Sequence, residues 1–304
     1  SKLQIIQERR LLAESGQISY AELVKLLTQL SHETSYMVAS ASDQLIAGLK
    51  RFLDEDSQSE SMFKVLVRDV YRTNYQRLGF EKSVEEMDED EKVRQITISN
   101  MIYADDPDAN EKAQAIFANY KENIEAIPAA IRLDVLTNQI KHAETDDLVS
   151  LYLDSYVKTN DSNFRRQLAS ALANTKSQIT LDRILAQLPN RDVIKPQDLS
   201  LWYGLFLRKS FAQETFWAWA RENWAWIKAT LGGDMSFDSF VIIPANVFKT
   251  PERLAEYKAF FEPQLDDLSI SRNITMGIKE IAARITLIEK EKAAVEQTIV
   301  NTFL

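Results

Sequence analysis

The chain has 304 residues, no cysteine, only seven glycines and seven prolines, and 45 acidic against 36 basic residues, for a formal net charge of -9. The lack of cysteine excludes a disulfide framework, a thiolate metal site and a cysteine nucleophile, while the negative charge argues against nucleic acid or an anionic membrane as a partner. Scarcity of glycine and proline, which turns in β-rich folds require, predicts an all-α fold.

Helical periodicity begins near the start of the chain. The first apolar stripe with helical spacing consists of Tyr20, Leu23, Val24, Leu27 and Leu30. Ser19 and Glu22 match a capping box, in which the serine caps the helix and the glutamate reaches back to the serine amide. The same spacing recurs at Ser83 and Glu86. Both pairs predict a helix start.

Later helices follow the same logic. Pro128 and Pro251 each predict a helix start, because proline is tolerated at the first helical position. Between 128 and 188 the pattern indicates two consecutive helix hairpins of roughly 30 residues each, typical of a degenerate, HEAT-like solenoid. Six isoleucines predict that the last helix is the longest: Ile270, Ile274, Ile278, Ile281, Ile285 and Ile288. We expect about fourteen helices of ordinary length.

Metal-binding and acidic motifs are weak. The two histidines are His32 and His142, and the fragment His32-Glu33 lacks the second histidine of H-E-x-x-H, since Tyr36 stands there. We therefore expect no metal ligands in this chain. An acidic run could attract a cation, but a solvated helix start explains it better; it contains Glu85, Glu86, Asp88, Glu89, Asp90 and Glu91.

A tryptophan-rich stretch precedes the pair Gly232-Gly233. We predict one helix with a core stripe of Phe216, Ala220, Trp224, Ile227 and Leu231, which leaves Trp217, Trp219 and Trp226 for other faces. Core packing explains these tryptophans better than a ligand-stacking wall, and the glycine pair is expected to end the helix. No Gly-x-Ser-x-Gly elbow occurs, so we predict no catalytic residues.

Several segments in order along the chain resemble one family. Residues 7–23 and the stretch Glu33-Thr34-Ser35-Tyr36-Met37-Val38 look like the start of the C-terminal domain of aminopeptidase N-like zinc peptidases of the bacterial type. These domains are similar to those of endoplasmic-reticulum aminopeptidases. Further likeness occurs at 131–136, 168–175, 195–199, 217–224, 260–261 and 272–274. The family's H-E-x-x-H and Gly-Ala-Met-Glu-Asn motifs, which belong to its catalytic domain, are absent from this sequence.

The resemblance implies a single C-terminal domain over 1–304, built as a cupped array of antiparallel helix pairs that closes over a catalytic cleft. It would control substrate access without catalytic residues of its own. The parent enzyme would use zinc to remove N-terminal residues from peptides, and its upstream catalytic domain and peptide substrates would be the partners. This chain would hold no cofactor. Neither a signal segment nor an apolar run of about 20 residues is present, so we expect a soluble, cytoplasmic protein.

Within this resemblance, arginines that line the cup could bind the C-terminal carboxylate of a peptide, because the guanidinium pairs with it bidentately. The candidates are Arg165 and Arg166, at the start of a helix with a core face of Leu168, Ala171 and Leu172, and Arg208, at the end of the helix that carries Trp202. Solvated arginines at helix ends are the alternative interpretation.

Two other functional classes remain open. An independent helical-repeat adaptor would bind a protein or peptide partner along its surface and would carry polar capping helices at both ends. The apolar start at Leu3, Ile5 and Ile6 instead indicates a severed interface. A stand-alone hydrolase is disfavoured by the absence of a recognisable catalytic motif.

Overall fold

The structure is a computed structural model that describes residues 2–84, 86–233 and 236–303. In these ranges all regular elements are helical, with sixteen α-helices, three short 3-10 turns and no strand. The all-α prediction is therefore confirmed. The chain divides into two compact units, one formed by residues 1–138 with 288–304 and the other by residues 139–287.

The first unit contains six complete helices and parts of two more. Its complete helices are α1 (Lys2–Glu14), α2 (Ala21–Leu27), α3 (Tyr36–Lys50), α4 (Gln58–Leu78), α5 (Asp90–Tyr103) and α6 (Pro107–Asn119). It also includes the start of α7 (Ala129–Ala143) and the end of α16 (Ser271–Asn301). The core lies among α3, α4 and α5, where Leu49, Phe63 and Val67 are fully buried.

The second unit contains the remainder of α7 and α16 and the eight helices between them. These are α8 (Asp146–Lys158), α9 (Ser162–Leu172), α10 (Gln178–Gln187), α11 (Leu199–Leu207), α12 (Ser210–Glu222), α13 (Trp224–Leu231), α14 (Ser239–Val247) and α15 (Pro251–Phe261). Four helices, α7 to α10, lie in the region where two hairpins were predicted, and among them α8 contacts α9. At 31 residues, α16 is the longest helix described, as its isoleucine stripe predicted.

Helix starts follow the capping signals, with two exceptions. One is Ser83, whose amide donates to Glu86 Oε1 at 2.9 Å although the next helix, α5, begins only at Asp90. Thr250 accepts a hydrogen bond from the Arg253 amide, and Pro251 is the first residue of α15. At α2, however, Glu22 does not complete the predicted capping box, because it pairs with Lys25. The carboxylate that accepts from the Ser19 hydroxyl and the Tyr20 amide belongs to Glu291.

The tryptophan-rich stretch differs from the prediction of one helix. It breaks at Asn223, which ends α12 and precedes α13. Because the break shifts the register, Trp217 is fully buried although it was assigned to a face outside the core stripe, and Trp224, which was assigned to that stripe, is only partly buried. As predicted, α13 ends at the glycine pair.

No helix in the described ranges combines the length and the apolar character that crossing a membrane requires.

Candidate functional site

The start of α9 borders a surface pocket of about 330 Å³ that contains two of the three predicted arginines. A carboxylate oxygen of Asp161 accepts hydrogen bonds from the Asn163 amide at 2.8 Å and from the Phe164 amide at 3.2 Å. This cap holds the first turn in place, because it satisfies amides that have no partner within the helix. The predicted core face of α9 is confirmed by Leu168, Ala171 and Leu172, which are fully buried.

Arg165 is oriented by the helix that precedes it. Its Nε donates to the main-chain oxygen of Tyr156 at 3.2 Å, and its guanidinium carbon lies 5.9 Å from the centre of the Tyr156 ring. These contacts use one of the five guanidinium N–H groups and leave the two terminal nitrogens available. Arg165 thus offers a preoriented fork of donors to the pocket.

Arg166 is exposed and lines the same pocket. Among the residues that the structure describes, neither Arg165 nor Arg166 forms an ion pair with a carboxylate. Unpaired guanidinium groups in a concave surface suit an incoming carboxylate, which can accept two parallel hydrogen bonds from one arginine.

Tyr156 lines the pocket and contacts both Arg165 and Asp198. Its hydroxyl accepts a hydrogen bond from Trp202 Nε1 at 3.1 Å and donates to Asp198 Oδ2 at 3.3 Å. Burial raises the pKa of Tyr156 to about 12, with Asp198 adding to the rise and the hydrogen bond from Trp202 opposing it. The hydroxyl therefore stays protonated at neutral pH and continues to donate.

The indole of Trp202 holds the side chain of Tyr156 in place. Trp202 is fully buried and packs edge-on against Tyr156, with ring centres 5.1 Å apart. The remaining lining comes from Ser162, Asn163 and Leu201. The pocket is therefore polar at its rim and rests on the aromatic core of the second unit.

Arg208 does not join this site. It caps the end of α11, as predicted, and its Nη1 donates to the Gly204 main-chain oxygen at 2.6 Å. Sequence analysis missed Tyr156 and Asp198, which lie 42 positions apart and meet only in the folded chain. No local pattern connects them.

The histidine motif shows no metal-site geometry. His32 is exposed, and its Nδ1 lies 3.3 Å from the Thr73 hydroxyl. Glu33 pairs with Lys2. Across 2–84, 86–233 and 236–303, no group of three or more histidine, cysteine or acidic residues could hold a metal ion.

The acidic run leads into the start of α5, as predicted, with Asp90 and Glu91 in the first turn, but two of its members are not solvated. Glu86 forms a largely buried ion pair with Arg94, and Asp90 pairs with Arg77 at 2.7 Å. The pair with Arg94 lowers the pKa of Glu86. Arg94 and Arg77 lie outside the acidic run but contact it in the folded chain. The composition of the run alone therefore did not reveal these two ion pairs. Glu85 lies outside the described residues.

Comparison with known proteins gives a consistent result over most of the chain. The family described as "ERAP1-like C-terminal domain" matches residues 1–283. An aminopeptidase N of Lactococcus lactis subsp. lactis is 58% identical over 300 residues, which cover 98% of this chain and 35% of the relative. An aminopeptidase N of Lactococcus lactis subsp. cremoris (strain MG1363) is 45% identical over 99% of this chain and 36% of its own length. One from Lactobacillus helveticus is 39% identical over 98% of this chain and 35% of its own length.

Proposed function

This chain belongs to the ERAP1-like C-terminal domain family, and on that premise we propose that it is the accessory domain of a zinc aminopeptidase. It spans only about a third of the relatives' length, 35% of the first one, and corresponds to their C-terminal part. The proposal assigns residues 1–304 to one C-terminal domain and places the catalytic domain upstream in the same polypeptide. In this proposal the aminopeptidase acts on peptides and is located in the cytoplasm.

The residues that the structure describes do not fit a zinc site. The sequence contains two histidines and no cysteine, and the described residues bring no set of metal ligands together. Zinc bound by the parent enzyme would therefore be held by residues outside this chain, and this chain would serve access and substrate positioning.

We assign the positioning role to the pocket at α9. The observation that carries this assignment is the presence of Arg165 and Arg166 in one cavity of about 330 Å³ without an ion-pair partner among the described residues. A peptide long enough to reach the pocket would place its C-terminal carboxylate against these guanidinium groups. Shorter substrates would not reach it.

This role can be tested by measuring the kinetics of the parent polypeptide that includes the proposed upstream catalytic domain. We expect the double variant Arg165→Ala/Arg166→Ala to raise KM for long peptides by about tenfold, since a charge-assisted pairing contributes at least about 1.4 kcal/mol. KM for a single-residue chromogenic substrate should not change. Arg191→Ala, which removes an exposed arginine outside the pocket, is the matched control.

Equal effects on long and short substrates, or no effect on either, would reject the assignment. Arg208→Ala is measured separately, because its guanidinium bonds to Gly204 outside the pocket. A KM increase confined to long peptides would add Arg208 to the site.

A further inference from the structure

The pocket at α9 also contains a carboxylate without a cationic partner. Asp198 ends the 3-10 turn Pro196–Asp198 and lines the same cavity as Arg165 and Arg166. Among the described residues it forms no ion pair, and its side chain accepts one long hydrogen bond from the Tyr156 hydroxyl. A pocket with unpaired charges of both signs is complementary to a ligand that carries both.

Tyr156 sets the spacing between the two charges. Arg165 lies over the face of the tyrosine ring, whereas Asp198 contacts the hydroxyl at the far end of the same side chain. Trp202 holds that hydroxyl in place. Because Arg165 and Asp198 contact different parts of this side chain and form no ion pair with each other, a ligand that bonds to both needs its anionic and cationic groups at the two ends of a stem and not on the same carbon.

A C-terminal lysine or arginine residue meets this requirement. Its α-carboxylate and its side-chain cation are separated by a stem of three or four methylene groups, which can pack along apolar surface. Leu201, which lines the pocket and is partly exposed, offers such a surface. A C-terminal leucine would satisfy the arginines but leave Asp198 without a cationic partner.

We infer that Asp198 makes this pocket selective for peptides that end in a basic residue. The inference rests on the proposed function, because it requires the arginines to hold the C-terminal carboxylate. Asp198 is then the residue that determines specificity, and Tyr156 is a positioning residue that separates the two subsites.

Binding of matched peptides to the full 304-residue chain tests the inference. Four peptides are compared by isothermal titration, identical except that they end in lysine or norleucine, each as a free acid or an amide. Norleucine retains the methylene stem and lacks the ammonium group. We expect the chain to bind the lysine acid about threefold to fivefold more tightly than the norleucine acid, as a partly exposed ion pair allows.

The variants separate the inference from the proposed function. Asp198→Asn keeps an oxygen for the Tyr156 hydroxyl and should abolish the preference for lysine while preserving the preference for acid over amide. Asp192→Asn removes an exposed carboxylate outside the pocket and should change neither the preference for lysine nor the preference for acid over amide. Arg165→Ala/Arg166→Ala should abolish the preference for acid. Circular dichroism and thermal unfolding verify that each variant is folded.

If Asp198→Asn leaves the lysine preference intact, or the parent chain shows none, the inference is wrong while the carboxylate site stands. If the parent chain does not distinguish acid from amide, the carboxylate site and the inference both fail.

Discussion

Glu291, in the last third of α16, accepts a hydrogen bond from the Ser19 hydroxyl at 2.6 Å, although 272 positions separate the two residues. The same carboxylate oxygen accepts from the Tyr20 amide at 2.9 Å. Glu291 is only 5% exposed. A buried negative charge at the start of α2 compensates amides that the helix itself leaves unpaired and interacts favourably with the helix dipole.

We expect Glu291→Ala to lower the free energy of unfolding by about 2 kcal/mol, because it leaves a partly buried hydroxyl and a buried amide without this acceptor. Glu22→Ala removes the local carboxylate, whose ion pair among the described residues is with exposed Lys25, and should cost less than about 0.5 kcal/mol. Urea unfolding of both variants measures the difference. Equal losses would mean that Glu22 contributes as much to this helix start as Glu291, and would contradict the prediction.

The side-chain carboxyl group of Asp134, on α7, has a raised pKa. Burial raises its pKa from 3.8 to about 7, and a hydrogen bond with Ser99 on α5 opposes the rise only in part. The folded chain therefore binds this proton more tightly than the unfolded chain. The resulting stabilisation is complete below about pH 3.8, decreases as the pH rises towards 7, and is absent above that value.

We expect Asp134→Asn to raise stability at pH 8 by at least about 1 kcal/mol and to flatten the pH dependence between pH 4 and 7, since each unit of pKa shift corresponds to about 1.4 kcal/mol. Chemical unfolding across this pH range measures both quantities. Asp192→Asn, which removes an exposed carboxylate, should leave the slope unchanged. An unaltered slope in Asp134→Asn would show that Asp134 titrates normally.

Gly277 lets α16 approach its neighbours within the second unit. A Cβ at this position would lie 2.5 Å from the Tyr257 hydroxyl and 2.8 Å from the Ala245 Cβ. We expect Gly277→Ala to destabilise the chain by about 2 kcal/mol despite alanine's higher helix propensity, because overpacking a tight contact costs about 1–3 kcal/mol. Thermal unfolding measures the loss.

Gly233→Ala is the matched control for that variant, since no atom lies within 4 Å of a Cβ built there. Its melting temperature should stay close to that of the parent chain. A comparable fall in both variants would show that the close approach at Gly277 is not the cause.

The sequence alone determined what depends on neighbours three or four positions away. Glycine and proline scarcity together with apolar periodicity determined the helical class, the buried face of α9 at Leu168 and Leu172, and the end of α13 at the glycine pair. These features are local because backbone hydrogen bonding and the side-chain period of a helix act within one turn. The family resemblance also came from the sequence, through the order of its segments.

Only the tertiary structure decided which side chains meet across long stretches of the chain. It placed Glu291 where Glu22 was expected and brought Asp198 to the hydroxyl of Tyr156 beside Arg165. It also separated Arg208 from the other two arginines. These pairings depend on how helices pack, and packing is set by the shape and burial of whole faces, so no spacing within a single segment encodes them.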